Sequence, residues 1–110
     1  MDVKKWFEDG TGLKIKELRY VKTPPLPYNI YIDDMTYRGA DRLNNIIEHN
    51  ITFEHYHNGI KESKEKIIED FLNKEEIQFD KSREWLDEEE IWVTIYELEP
   101  YLEKIRKERD

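Results

Sequence analysis

Ile91-Trp92-Val93-Thr94-Ile95-Tyr96-Glu97-Leu98 is the stretch that decides the fold. Residues alternate across a strand, so Ile91, Val93 and Ile95 share one face and Trp92, Tyr96 and Leu98 the other. Both faces are apolar and rich in β-branched and aromatic side chains, which marks a strand central to its sheet and covered on both sides, by a helix or by another subunit. Upstream, Tyr28, Ile30 and Ile32 alternate with Asn29, Tyr31 and Asp33 in a second strand. A third runs from Ile46 to His57, with Ile47, Ile51 and Phe53 on one face, and pairs with the second as a long antiparallel hairpin. Its tip is the polar loop Gly39-Ala40-Asp41-Arg42 with Asn44-Asn45, and Asn58-Gly59 ends it.

Helices flank these strands. Val3, Trp6 and Phe7 stand at helical spacing behind Asp2, an N-cap, and Gly10-Thr11-Gly12 stops that helix. Leu13, Ile15, Leu18 and Tyr20 then read as an extended segment, and Pro24-Pro25-Leu26-Pro27 as a connector that cannot join a ladder. Ser63 caps a second helix reaching about Asn73, with Ile60, Lys64, Ile67, Ile68, Phe71 and Leu72 on the apolar side and Glu62, Glu65, Lys66, Glu69 and Asp70 on the polar side. Glu62 and Lys66 stand in the favourable i,i+4 order. Ile77 and Phe79 form a short strand, residues 81–90 a charged segment whose acidic part, 84–90, reads as a hairpin loop, and Pro100 opens a final helix from Tyr101 to about Lys107. The expectation is one α+β domain over residues 1–110, in the order α-β-β-β-α-β-β-α. Its mostly antiparallel sheet has four to five strands packed with two or three helices.

Composition narrows the function. The 110 residues carry 26 acidic and 18 basic side chains, a formal net charge of -8, with 40% charged and 37% hydrophobic residues. An excess of carboxylates argues against general nucleic-acid binding, which needs clustered Lys and Arg. The mean hydropathy of -0.96 points toward disorder, but 13% aromatic residues supply a core. No cysteine is present, which excludes disulfides and thiolate chemistry and suits a reducing cytoplasm. The N-terminal twenty residues lack the apolar run of a signal peptide, and no stretch approaches a membrane span. A core this small favours oligomers.

Chemical constellations are few. His49, His55 and His57 share a strand face, and His55 with His57 could bridge a metal ion, but His49 lies about 20 Å from His55 at ~3.3 Å per residue. The bland reading, partly buried or surface histidines, outweighs it, and neither metal nor cofactor is expected. Glu84, Asp87, Glu88, Glu89 and Glu90 surround Trp85 and Leu86 without the spacing or glycine of a calcium loop, so a solvated loop is the simpler reading. Nucleophile motifs, phosphate loops and dinucleotide fingerprints are missing, and no enzymatic activity is expected.

The order Val3-Lys4-Lys5-Trp6-Phe7, Pro25-Leu26-Pro27-Tyr28-Asn29-Ile30-Tyr31, Gly39-Ala40-Asp41 with Asn44, and Ile51-Thr52-Phe53-Glu54-His55-Tyr56 resembles small tail-terminator or tail-completion proteins of tailed phages and prophages of low-GC Gram-positive bacteria. Phe79-Asp80-Lys81 and Ile91-Trp92-Val93-Thr94-Ile95-Tyr96-Glu97 are similar to that family's closing hairpin, so the likeness covers nearly the whole chain. His55 and His57 depart from the family's pattern, where Leu and Thr types are expected. The resemblance implies a non-enzymatic virion subunit, assembled in the host cytoplasm. It would form a ring, commonly hexameric, at the end of the tail tube, stop tube growth and offer the head-joining surface. Its partners would be further copies, the tube protein and neck or connector proteins, with DNA passing unbound. Tyr31, Asp41, Arg42, Asn44, Trp92 and Tyr96 are then candidate subunit or partner contacts, and Glu84 with Asp87 to Glu90 a candidate acidic lumen loop. Alternatives are another connector component, such as a stopper or head-completion protein, and a small acidic protein that imitates DNA.

Overall fold

A computed structural model describes residues 2–38 and 46–104 of the chain. Helix α1 (Val3–Thr11) is followed by a two-residue strand β1 (Lys16–Glu17), then β2 (Tyr28–Arg38) and β3 (Ile46–His57). A 3-10 turn (Ile60–Glu62) leads to α2 (Glu65–Lys74), and three strands close the chain: β4 (Phe79–Leu86), β5 (Ile91–Leu98) and β6 (Tyr101–Lys104). The architecture is α+β, with a mixed six-stranded sheet in the order β1-β2-β3-β5-β4, and β6 paired to β3 off that path. All pairings are antiparallel except β1 with β2, which is parallel.

Local chemistry explains most of these elements. Asp2 caps α1 by accepting from the Lys5 N–H, and Gly12 ends it in the left-handed region at φ 75, donating its N–H to the Glu8 carbonyl. In β3 the buried residues are His49, Ile51, Phe53, His55 and His57, every second position, as a half-covered strand demands. β5 lies between β3 and β4, the central place its two apolar faces require.

Both helices pack on one face of the sheet. There Val3, Phe7, Ile15, Ile51, Phe53, Ile68, Phe71, Leu72, Tyr96 and Leu98 form the core. Phe7 meets Phe53 and Phe71 edge-on, at centroid distances of 4.9 and 6.0 Å. No described helix covers the other face. Residues 18–27 edge it instead: Leu18 donates its N–H to the Tyr31 carbonyl, and Tyr20 meets the ring of Tyr28, which stacks on Tyr56.

Several expectations give way. The final helix from Tyr101 is strand β6, because β5 pairs only with Thr52–His57 of β3 and leaves the edge of Ile46–His49 for the returning chain. Residues 84–86 are not loop but, with residues 81–83, the greater part of β4, an edge strand polar on both faces, so only residues 87–90 turn. Of the extended segment after α1, only Lys16 and Glu17 join the sheet, and their parallel pairing makes it mixed. Ser63 does not cap α2 from the N-cap position: that place is held by Lys64 with no side-chain bond, while Ser63 Oγ accepts from the Glu65 N–H at a long 3.5 Å. Ile60 and Ile67 are exposed, and Glu65, expected on the solvent side, is buried. Lys66 pairs with Asp70, at 2.8 Å, and not with Glu62. The hairpin tip, residues 39–45, and residues 105–107 of the expected last helix lie outside the described residues.

Candidate functional site

Polar side chains are paired on one face of the sheet and largely exposed on the other. On the helix-covered face β3 presents His55 and His57, β5 presents Trp92 and Thr94, β4 presents Lys81 and Arg83, and α2 lays Glu65 over them. Arg83 grips Glu65 in a fork, Nε to Oε2 at 2.9 Å and Nη2 to Oε1 at 2.7 Å. Lys81 bridges Glu65 and Glu69 at 3.1 and 2.6 Å, and the Tyr96 hydroxyl donates to Glu69 at 2.7 Å. The Thr94 hydroxyl completes the set with a short bond to Glu65 Oε2. Both Glu65 oxygens thus accept twice. The Arg83 bonds, working against burial and joined by those from Thr94 and Lys81, hold the Glu65 carboxyl far below its ordinary pKa.

The histidines are locked into this frame. The Gly59 N–H donates to His57 Nδ1 at 3.1 Å, so Nε2 carries the proton and donates to Thr94 at 2.7 Å. Asn29 spends its amide N–H on the Lys14 carbonyl and its oxygen on His55 Nδ1, at 2.9 and 2.7 Å. The Lys64 N–H then donates to His55 Nε2 at 2.9 Å. Burial first, and then the neighbouring His57, press the His55 pKa down to about 4. All four ring nitrogens of this pair are occupied by protein partners, and no cluster that could hold a metal ion occurs among the described residues. Beside them lies a pocket of about 550 Å³ lined by His57, Gly59, Ile60, Lys61, Glu62, Arg83 and Trp92.

On the helix-free face the register aligns Glu54 of β3, Glu97 of β5, and Asp80 and Glu84 of β4. Neither Lys nor Arg points to this side from β3, β4 or β5 among the described residues, because both cations of β4 stand at odd positions and are held by Glu65 and Glu69. The turn residues Asp87, Glu88, Glu89 and Glu90 are all exposed; Glu89 lines the cleft on this side, while Asp87 accepts from the Trp85 N–H of the other. Against the hydrocarbon of Ile30, Val93 and Ile91 this gives an apolar floor with an acidic border. Leu18, Tyr20, Tyr28 and Tyr56, with Arg19 and Glu89 as the charged members, line a cleft of about 310 Å³ in it.

The expected site residues fall into three groups. Glu84, Asp87, Glu88, Glu89 and Glu90 are all exposed, Glu84 on strand β4 and the other four in the turn between β4 and β5. Tyr31 and Trp92 are half-buried on the helix side, Trp92 edge-on to Trp85 with centroids 5.4 Å apart. Tyr96 is not a contact residue but core, fully buried and tied to Glu69. Asp41, Arg42 and Asn44 lie outside the described residues. Sequence reasoning missed Glu65, Lys81 and Arg83. The signal was present in part, since Glu65, Ile68 and Leu72 stand at i, i+3 and i+7, one face of a helix.

Comparison with known proteins finds no matching family model, no matching curated protein and no matching solved structure.

Proposed function

We propose that the protein is a structural subunit of a phage tail, a terminator that assembles as a ring on the tube end, ends tube growth and offers the head-joining surface. One observation carries this reading: across β3, β4 and β5 the strand carboxylates stand on the helix-free side, where β1 adds Lys16 at the sheet margin. Glu54, Asp80, Glu84 and Glu97 stand on the helix-free side while Lys81 and Arg83 are neutralised on the other. A surface of this kind facing a channel repels the DNA phosphates and lets the duplex slide without sticking. The element order adds support, as does the long β2–β3 ladder, paired over eleven positions from Tyr28↔Tyr56 to Arg38↔Ile46. No catalytic role is assigned to the buried histidines, whose ring nitrogens are spent on structure.

Light scattering of the purified protein, then electron microscopy of a mixture with tail tubes, tests the proposal. Rings in solution and caps on tube ends are expected. A chain that forms no ring and ignores tube ends overturns it.

A second reading, a small acidic protein that imitates DNA, draws on the same face, since its carboxylates lie along strands with no interleaved cation in β3, β4 or β5. Such a protein competes with DNA for a basic partner and loses affinity steeply with salt, whereas a tail subunit binds tube and neck proteins.

A further inference from the structure

His49 lies outside the network of Glu65 and outside the acidic face. It is buried, and each of its ring nitrogens meets a carboxylate: Nδ1 with Asp33 Oδ2 at 2.6 Å and Nε2 with Glu103 Oε1 at 2.7 Å. An ionised carboxylate only accepts, so both nitrogens must donate, and only the imidazolium has two N–H groups. The ring also stacks on Tyr101, with centroids 4.4 Å apart and planes within 7°. Asp33 belongs to β2, whereas Tyr101 and Glu103 belong to β6.

We propose that His49 is a pH-operated latch that holds strand β6 on the sheet. β6 is the weaker of its two neighbours. β2 pairs with β3 over eleven positions, whereas β6 does so over four, from Ile46↔Lys104 to His49↔Tyr101, and pairs with no other described strand. When His49 loses its proton, one nitrogen keeps an N–H and the other turns a lone pair on a carboxylate. Asp33 is fixed by the long hairpin and is the more enclosed of the two, its side chain 10% exposed against 44% for Glu103. The repulsion therefore falls on Glu103, and β6 yields, baring the Ile46–His49 edge of β3 for another strand.

Charged groups act on this site from several elements, the positive amino terminus of the chain among them through its pull on Glu103. Asp33 faces the ring from β2, and Tyr101 and Glu103 face it from β6. The neighbouring same-face residues of β3, Ile47 and Ile51, are uncharged. Asp34 and Glu48 project from the opposite side of the sheet. On the helix side Trp6 and the carboxylates Glu75 and Glu99 line a small pocket together with Tyr101. Burial lowers the His49 pKa, but the bonds to Asp33 and Glu103 outweigh it and the net displacement is upward. A raised histidine stabilises fully below its unfolded value near 6.5 and loses that contribution as pH climbs through the native value.

The test is a pH titration of the full chain by nuclear magnetic resonance, reading the His49 imidazole and the exchange protection factors of the β6 amides. In the wild type His49 should titrate above 6.5, and β6 protection should fall about tenfold or more, relative to β3 and β5, across that midpoint. His49→Gln should abolish the pH dependence. Glu103→Gln, a change at a half-exposed residue that leaves the core intact, should lower the His49 midpoint and loosen β6 at acid pH. A His49 midpoint at or below 6.5, or the same pH-dependent loss of β6 protection in His49→Gln, overturns the latch.

Discussion

Arg83 of the edge strand β4 holds Glu65 of helix α2 through two parallel hydrogen bonds, and this fork fastens the helix to the sheet margin where apolar packing is thin. β4 exposes nearly its whole length, and its two terminal residues, Phe79 and Leu86, are the less exposed ones. The attachment is therefore ionic at one end of α2, and hydrophobic through Ile68, Phe71 and Leu72 at the other.

Removing Glu65 should be costly. Glu65→Ala leaves Arg83, Lys81 and the Thr94 hydroxyl without their shared acceptor, and a loss of about 2–4 kcal/mol is expected, reduced from the range for wholly buried pairs because Arg83 is partly solvated. Glu65→Gln, which keeps an acceptor for Thr94, should lose less. Urea unfolding at neutral pH compares them, and a Glu65→Ala loss within 0.5 kcal/mol of zero contradicts the account.

Acidification should weaken the fold through His55 before the carboxylates matter. Its native pKa is pressed down to about 4, so the stability it contributes is complete above its unfolded value near 6.5 and is lost as pH falls toward 4. At 1.36 kcal/mol per unit the loss is roughly 3 kcal/mol. Stability curves measured from pH 7 to 4 should show this slope in the wild type and a shallower one in His55→Gln. Glu65, whose pKa is also depressed, adds its own loss only as pH falls below its unfolded value of about 4.5.

Two glycines of α1 should respond differently to alanine. At Gly10 an added Cβ would stand 2.2 Å from the ring of Phe71, so Gly10→Ala must displace a core ring and should cost about 1–3 kcal/mol. Gly12 has open space but φ +75, so Gly12→Ala should cost only about 1 kcal/mol, from backbone strain. Thermal unfolding of the pair gives the order.

Tyr101→Phe should be neutral or should stabilise by up to ~1 kcal/mol, because the Tyr101 hydroxyl is buried without a hydrogen-bond partner among the described residues. The ring, which stacks on His49, is retained. A clear loss of stability in denaturant unfolding would show that the hydroxyl has a partner in solution.

Reversing charge on the helix-free face should convert indifference to DNA into binding. Glu84 and Glu97 are exposed, so the double change Glu84→Lys, Glu97→Lys should fold normally and retard duplex DNA at low salt, where the wild type does not. Gel shift at increasing salt reads the effect.

Strands were legible where one rule sufficed. Alternation alone places β3 at Ile46–His57 and β5 at Ile91–Leu98, because both lie deep enough in the sheet for burial to impose the period of two. β4 was not legible: its outer edge is unpaired, so Asp80, Lys81, Arg83 and Glu84 could all be polar without penalty, and the same charges describe a loop. β6 was obscured by Pro100, which opens a helix as readily as it ends a strand, and its pairing depends on the stretch of β3 edge that β5 leaves uncovered. Of the site, the acidic turn was visible as composition, but the sorting of cations to one face and carboxylates to the other depends on knowing that residues 81–86 alternate.

The two faces also differ in how they can be watched. All three tryptophans, Trp6, Trp85 and Trp92, lie on the helix-covered side, whereas Tyr20, Tyr28 and Tyr56 lie together on the other. Indole fluorescence therefore reports on the helices and the Glu65 fork, and through Trp85, whose N–H donates to Asp87, on the acidic turn. A partner approaching the cleft of Tyr20, Tyr28 and Tyr56 would instead be seen first in the tyrosine absorption, so the two signals separate the turn from the cleft.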